Sequence, residues 1–167
     1  MKPLTVTILS FILISSFMVS CSKEDDEIYF SKANEVVVEK NSYSPLETEI
    51  LNLINNHRKT LNLSTLNTLN FVSGVANGHT NYMISKGEVN HDNFSQRSQT
   101  LITMTNAKNV GENVAFGYNS AQGVVNGWLN SSSHKSIIEN PSFTHFGIST
   151  ESDGQGRNYF THLFISK

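Results

Sequence analysis

Apolar residues recur at three- and four-residue steps along four stretches of the chain, which is the spacing of a helix with one buried face. The first stretch follows Ser44-Pro45-Leu46-Glu47, where Ser is placed to cap a helix, Pro to start it and Glu to complete a capping box. This pattern predicts a helix that begins at Pro45. A second helix is predicted from Leu69 to Met83, with Gly87 placed to end it, and a weaker one from Ser95 to Met104.

The fourth helical stretch follows Ser120, which is placed to cap it, and contains Trp128. The run Ser131-Ser132-Ser133 is then expected to break the helix and to cap the next one. That short helix is predicted from His134 to Glu139, because Asn140-Pro141 cannot continue it.

Strand patterns occupy the remaining segments. Asn109 to Gly117 is strand-like and contains glycines near both ends. Near the C-terminus, Phe146 to Glu151 and Asn158 to Ser166 are predicted to form a hairpin around the turn Asp153-Gly154-Gln155-Gly156. Helices before and between strands, with a final antiparallel pair, predict an α+β fold in which helices pack on a sheet.

The N-terminus has the features of an export signal. Lys2 precedes an apolar run from Leu4 to Met18 that is too short to span a bilayer comfortably. The run ends in Met18-Val19-Ser20-Cys21, which resembles a bacterial lipobox with Met in place of the usual Leu. We therefore expect residues 1–20 to be a lipoprotein signal peptide and Cys21 to carry the lipid that anchors the chain to a membrane. An ordinary secretory peptide with one unused thiol is the alternative.

Residues 21–44 have the composition of a flexible linker, with one short strand suggested at Val36-Val37-Val38. The acidic cluster at residues 23–27 resembles a surface-export signal of some Gram-negative lineages, and a solvated spacer is the alternative. Residues 45–167 are predicted to form a single domain. The expected location is the cell envelope, facing the periplasm or the exterior.

Cysteine content and charge limit how the domain is stabilised and which partners it can bind. Cys21 is the only cysteine in the chain, so the folded domain has no disulfide and is stabilised by packing alone. The net charge is −2, and no basic run or aromatic stripe would follow a phosphate backbone. Nucleic acid is therefore not expected as a partner.

Several short motifs follow one another in a specific order: His57-Arg58, Ala76-x-x-His79-x-x-x-Met83, His91, Gly111-Glu112-Asn113-Val114-Ala115-x-Gly117, Ser120-Ala121, Trp128-x-x-Ser131, His134-Lys135-x-Ile137-Ile138-x-Asn140-Pro141-x-Phe143, Gly147-Ile148 and Tyr159-Phe160-Thr161. In this order and spacing, residues 46–167 resemble the CAP family, which includes cysteine-rich secretory proteins, antigen 5 and plant pathogenesis-related proteins. The resemblance implies a three-layer α-β-α sandwich.

The resemblance also implies a cleft that is lined by two histidines and acidic residues and that binds a divalent metal, often zinc, in some members. The matching positions are His91, His134 and Glu112, with His79 beside them. No cofactor is required by the sequence, and zinc or another divalent cation held by His91 and His134 is the candidate ligand. A second cleft glutamate of many eukaryotic members falls on Ser131, so the set is incomplete by that standard.

Each of these residues also has a structural explanation. His79 lies on the apolar face of its helix, where a buried, hydrogen-bonded histidine is the more frequent case. The carboxylate of Glu112 would tie loops together by accepting backbone amides. Asn113 would order its loop, and Trp128 would belong to the core. His162 stands where Gln is frequent in the family, and its placement is not predicted.

Two functions of different classes follow. The first, which we favour, is a non-catalytic module of the cell envelope that binds a lipid, glycan or protein partner in the cleft. The second is a zinc-dependent hydrolase in which His91 and His134 hold the metal and Glu112 acts as general base. The motifs supply no third metal ligand, so we expect binding rather than catalysis.

Overall fold

The computed structural model describes residues 39–167. The predicted signal peptide, Cys21, the linker up to residue 38 and the short strand suggested at residues 36–38 lie outside the described residues. From residue 39 onwards, no helix combines the length and the apolar character that a membrane crossing requires.

Helices and strands alternate along the described part of the chain. In order they are α1 (Pro45–Thr60), β1 (Asn67–Thr68), α2 (Asn70–Lys86), α3 (Phe94–Thr105), β2 (Asn109–Phe116), α4 (Ala121–Asn130), α5 (Ser132–Ile138), β3 (His145–Ser152) and β4 (Asn158–Ser166). The predicted helices and the C-terminal hairpin are confirmed, and β1 was not predicted because two residues carry no periodic pattern.

The N-terminus of α1 forms as the sequence predicts. The hydroxyl of Ser44 accepts from the backbone N–H of Glu47, and the backbone N–H of Ser44 donates to the Glu47 carboxylate at 2.9 Å. The buried Glu47 carboxylate also accepts from Lys40 Nζ at 2.6 Å and from the Thr150 backbone N–H at 2.7 Å. The capping residue thus joins α1 to β3 and to the segment before the helix.

The α5 helix differs from the prediction. It begins at Ser132, two residues before His134, and Ser131 precedes it with extended backbone. The hydroxyl of Ser131 lies 3.1 Å from that of Ser133 and caps no backbone N–H. The predicted side-chain cap is therefore wrong at this helix, because the two neighbouring hydroxyls pair with each other.

The sheet has the strand order β1-β3-β4-β2, with β1 parallel to β3 and the other pairs antiparallel. Alternate residues of β4 point to opposite faces. Phe160 and Phe164 pack into one core with Ile50 of α1 and Trp128 of α4, and the other face packs with α2 and α3. Helices on both faces of one sheet make the α+β, three-layer sandwich that the resemblance implied.

Candidate functional site

The site is built around β2, which is an edge strand of the sheet. Successive side chains of a strand point to opposite faces, so neighbours on β2 reach different helical layers. Glu112 bonds to Arg97 of α3, whereas Asn113 donates from Nδ2 to the carbonyl of His134 in α5 at 3.1 Å. The strand therefore connects the two layers at this point.

Both oxygens of the Glu112 carboxylate are occupied. Oε1 lies 2.8 Å from Nδ1 of His91 and accepts from Nη2 of Arg97 at 2.8 Å, while Oε2 accepts from Nε of Arg97 at 2.8 Å. The Glu112 side chain is 1% exposed and that of His91 is 51% exposed. A buried carboxylate thus orients a histidine that faces solvent.

Burial and hydrogen bonding act in opposite directions on Glu112. Burial by itself raises the pKa of the carboxyl, but the hydrogen bonds from His91 and Arg97 and the Arg97 charge outweigh it, so the pKa lies below its usual value. The bidentate Arg97 contact adds to the hydrogen bond from His91 in favouring the ionised form. Glu112 is consequently a charged anchor and a weak base.

His79 lies behind this cluster and is buried. Its Nε2 is 2.9 Å from the Asn90 carbonyl and 4.0 Å from Oε1 of Glu112. Burial and the nearby Arg97 charge lower the pKa of His79, so the ring is neutral at neutral pH. This hydrogen bond joins the His79 side chain to the loop that carries His91.

His134 lies on α5 and is half-buried. Burial, and then the proximity of His91, lower the pKa of the His134 imidazole. The effect of His91 on this pKa indicates that the two histidines lie near each other. Within residues 39–167, no group of three or more His, Cys, Asp or Glu side chains is arranged to hold a metal ion.

Arg97 is a site residue that sequence reasoning missed. It is the only charged residue of α3, and that isolation was the available signal. Its Nη1 also donates to the carbonyl of Asp92, next to His91. Glu112 accepts from the side chains of His91 and Arg97 and not from the backbone amides that the sequence analysis expected.

Arg58 is a second residue near the site whose role the sequence did not predict. Its buried guanidinium donates to the carbonyls of Ile138 and Asn140 at 2.7 Å and 2.9 Å, and to that of Ser64 at 2.9 Å. These contacts hold the C-terminal end of α5, the helix that carries His134. The positive charge is favourably placed there, because a helix C-terminus has negative character.

The remaining candidates belong to the framework. Trp128 is buried and donates from its indole nitrogen to the Val114 carbonyl at 3.0 Å. His57 pairs with Glu139 at 2.8 Å, and His145 lies 2.9 Å from the hydroxyl of Thr144.

Residues 51–164 match the model of the cysteine-rich secretory protein family, CAP. The chain belongs to this family. Among curated relatives, YkwD of Bacillus subtilis strain 168 is 29% identical over 139 residues, which are 81% of this chain and 53% of YkwD. The membrane protein YlbC of the same organism is 31% identical over 126 residues, 72% of this chain and 34% of YlbC. The chain thus spans about half and about a third of these relatives.

Solved CAP structures confirm the fold. An outer surface protein of Borrelia burgdorferi has a TM-score of 0.67 at 24% identity, covering 78% of this chain and 99% of that one. An extracellular protein with an SCP domain from Bacillus anthracis strain Ames has a TM-score of 0.63 at 25% identity, and the match covers 77% of this chain and 45% of that one. NaASP2, solved with Zn²⁺, has a TM-score of 0.56 at 13% identity, and the match covers 75% of this chain and 82% of that one.

Proposed function

We propose that this CAP protein is a lipid-anchored module of the cell envelope that binds a partner in its cleft without chemical turnover. The observation that carries the proposal is the state of Glu112. Its two oxygens are held by Arg97 and His91, and its pKa lies below the usual value because hydrogen bonds outweigh burial. A carboxylate in this state is a poor general base, because an efficient base has a pKa near the working pH.

The location outside the cytoplasm has support from the sequence and from the comparisons. The sequence before Cys21 has the form of a lipoprotein signal, and the similar proteins include an outer surface protein and an extracellular protein. The cleft histidines would then face the periplasm or the exterior, where a lipid, a glycan or another protein is the available partner.

A divalent cation is the best-defined candidate ligand of the cleft. When the Nδ1–H of His91 donates a hydrogen bond to Glu112, the lone pair of Nε2 is left free. This is the usual arrangement of a metal-binding histidine that has a carboxylate behind it. His134 supplies a second neutral imidazole. The residues fit a weak site with two protein ligands and open positions for solvent or a partner, and a bound Zn²⁺ would polarise such a ligand.

Calorimetric titration of zinc into the purified protein tests this site. His91→Ala and His134→Ala should each weaken binding by more than the factor of about 10 that is typical for loss of an outer hydrogen-bond partner. Glu112→Gln should weaken it less, because the amide oxygen still accepts from His91. His145→Ala is the matched control, since His145 is another imidazole of lowered pKa with no place in the cleft.

Two outcomes would contradict the proposal. Wild-type affinity in the double variant lacking both cleft histidines would exclude the cation site. Zinc-dependent hydrolysis of an ester or peptide substrate that Glu112→Gln abolishes would instead establish the hydrolase and exclude the non-catalytic module. Binding should also weaken in acid, because a protonated imidazole binds no metal.

A further inference from the structure

Two buried polar side chains face each other across β2 and β4. His162 is fully buried, and its ring is surrounded by Trp128, Phe146 and Phe164, with ring centroids 5.5 Å, 5.3 Å and 4.2 Å away. Neither ring nitrogen has a hydrogen-bond partner. Asn113 is equally buried, and its Oδ1 has no partner either.

The register makes these two residues direct neighbours. Asn113 and His162 are opposite one another in the β2–β4 pairing. Residues opposite one another in an antiparallel pair project from the same face, with Cβ atoms about 5 Å apart. The unpartnered donor of one and the unpartnered acceptor of the other therefore occupy one small region of the core.

Their chemistry is complementary. Burial lowers the pKa of His162 to about 3, so at neutral pH the ring is neutral and has one N–H donor. The amide of Asn113 is already oriented, because its Nδ2 donates to the carbonyl of His134 at 3.1 Å. That orientation leaves Oδ1 as the acceptor. Buried polar atoms are seldom left unpaired in folded proteins, and three of them lie on this one residue pair.

We propose that His162 is a positioning residue for the cleft: its ring N–H and Oδ1 of Asn113, which make no direct bond in this structure, share one water molecule that holds the Asn113 amide on the carbonyl of His134. The chain of contacts runs from the core of the sheet to α5. It rests on the proposed function only in treating His134 as a cleft residue, since the contacts themselves involve no ligand.

Nuclear magnetic resonance of ¹⁵N-labelled protein tests the link without metal or ligand. The His162 ring should show one protonated nitrogen whose proton exchanges slowly with solvent. An Overhauser contact from this proton to a bound water identifies the bridge. A ring proton without this contact would overturn the proposal.

Two matched variants test the positioning role. His162→Gln retains a side-chain N–H donor, whereas His162→Phe retains a planar ring and has none. The side-chain amide of Asn113 should exchange with solvent about fivefold faster or more in the Phe variant, the equivalent of one lost hydrogen bond, and at nearly the wild-type rate in the Gln variant. The His134 resonances should shift from their wild-type positions in His162→Phe and stay close to them in His162→Gln. Equal behaviour of both variants would overturn the proposal.

A reciprocal variant covers the case in which His162→Phe does not fold. In Asn113→Ala the His162 ring proton should lose its slow exchange and change its chemical shift, because the bridging water loses its second partner. An unchanged ring signal would contradict the link. Because each readout is free of zinc, a wild-type protein that binds no zinc would refute the cation site and leave this test standing.

Discussion

Glu112 concentrates several interactions on one side chain, and its buried charge has Arg97 as its main counter-ion. Removing one partner of a buried ion pair leaves the other charge without compensation, which costs more than the pair itself contributes. The Arg97 side chain is 11% exposed, so water can compensate only in part. The stability of the site therefore depends on the pair as a unit.

Glu112→Ala should lower the free energy of unfolding by about 3 kcal/mol in chelator, measured by urea denaturation. Glu139→Ala is the control. The contacts of Glu139 to His57 and Lys135 are partly exposed ion pairs, which should contribute less than about 1 kcal/mol to the free energy of unfolding. Similar losses in the two variants would show that Glu112 does not anchor the site.

His162 makes a different prediction, which concerns acid stability. Its folded pKa of about 3 lies below the unfolded value near 6.5, so the unfolded chain binds the extra proton. Stability is therefore complete above pH 6.5 and is lost as the pH falls from there towards 3.

Between pH 6.5 and pH 5 this single group should lower the free energy of unfolding by about 2 kcal/mol. In His162→Phe that part of the pH dependence should be absent, whatever the stability of the variant at pH 7. Denaturant titrations at both pH values measure the difference. An unchanged pH dependence would mean that His162 is accessible to protons in the folded state.

At the level of helices and strands, close approach of α2 to β3 sets the geometry of one layer. A Cβ on Gly147 would overlap the backbone nitrogen of Ser73 and lie 2.6 Å from the carbonyl carbon of Val72. The Ser73 hydroxyl also accepts from the Ile148 backbone N–H at 3.1 Å. The helix backbone thus rests directly on the strand, and only glycine leaves the space.

Gly147→Ala should destabilise the protein by about 1 to 3 kcal/mol, because rigid backbone would have to move. Gly78→Ala on the exposed side of α2 is the opposite case, since a Cβ there meets nothing within 4 Å. It should stabilise the helix by up to about 1 kcal/mol. Thermal or urea unfolding measures the change in stability of each variant. Stabilisation of the protein by Gly147→Ala would contradict the close contact.

For the molecule as a whole, the prediction that remains is the lipid anchor expected at Cys21. Cys21→Ala should release the protein from membranes, because lipidation requires the thiol. Ser22→Ala is the matched control and should remain anchored. Fractionation of cells that express each form measures the effect, and equal membrane retention of the two variants would remove the basis for a lipid anchor.

Local signals were strong enough to predict the helices, the C-terminal hairpin and the family. The capping box at Ser44 and Glu47 and the helix end at Gly87 are properties of a few consecutive residues, so neighbours in sequence suffice to specify them. The strand pattern of β2 is likewise a local signal, and the family is indicated by the order of short motifs along residues 46–167.

Contacts between distant segments needed the tertiary structure. The pairing of Glu112 with Arg97, the hold of Arg58 on the end of α5 and the position of Asn113 opposite His162 each join residues that no short pattern connects. The sheet register and the helix layers bring these side chains together only in the folded molecule. Desolvation then makes each pairing matter, because a buried polar group without a partner is costly and one with a partner stabilises the site.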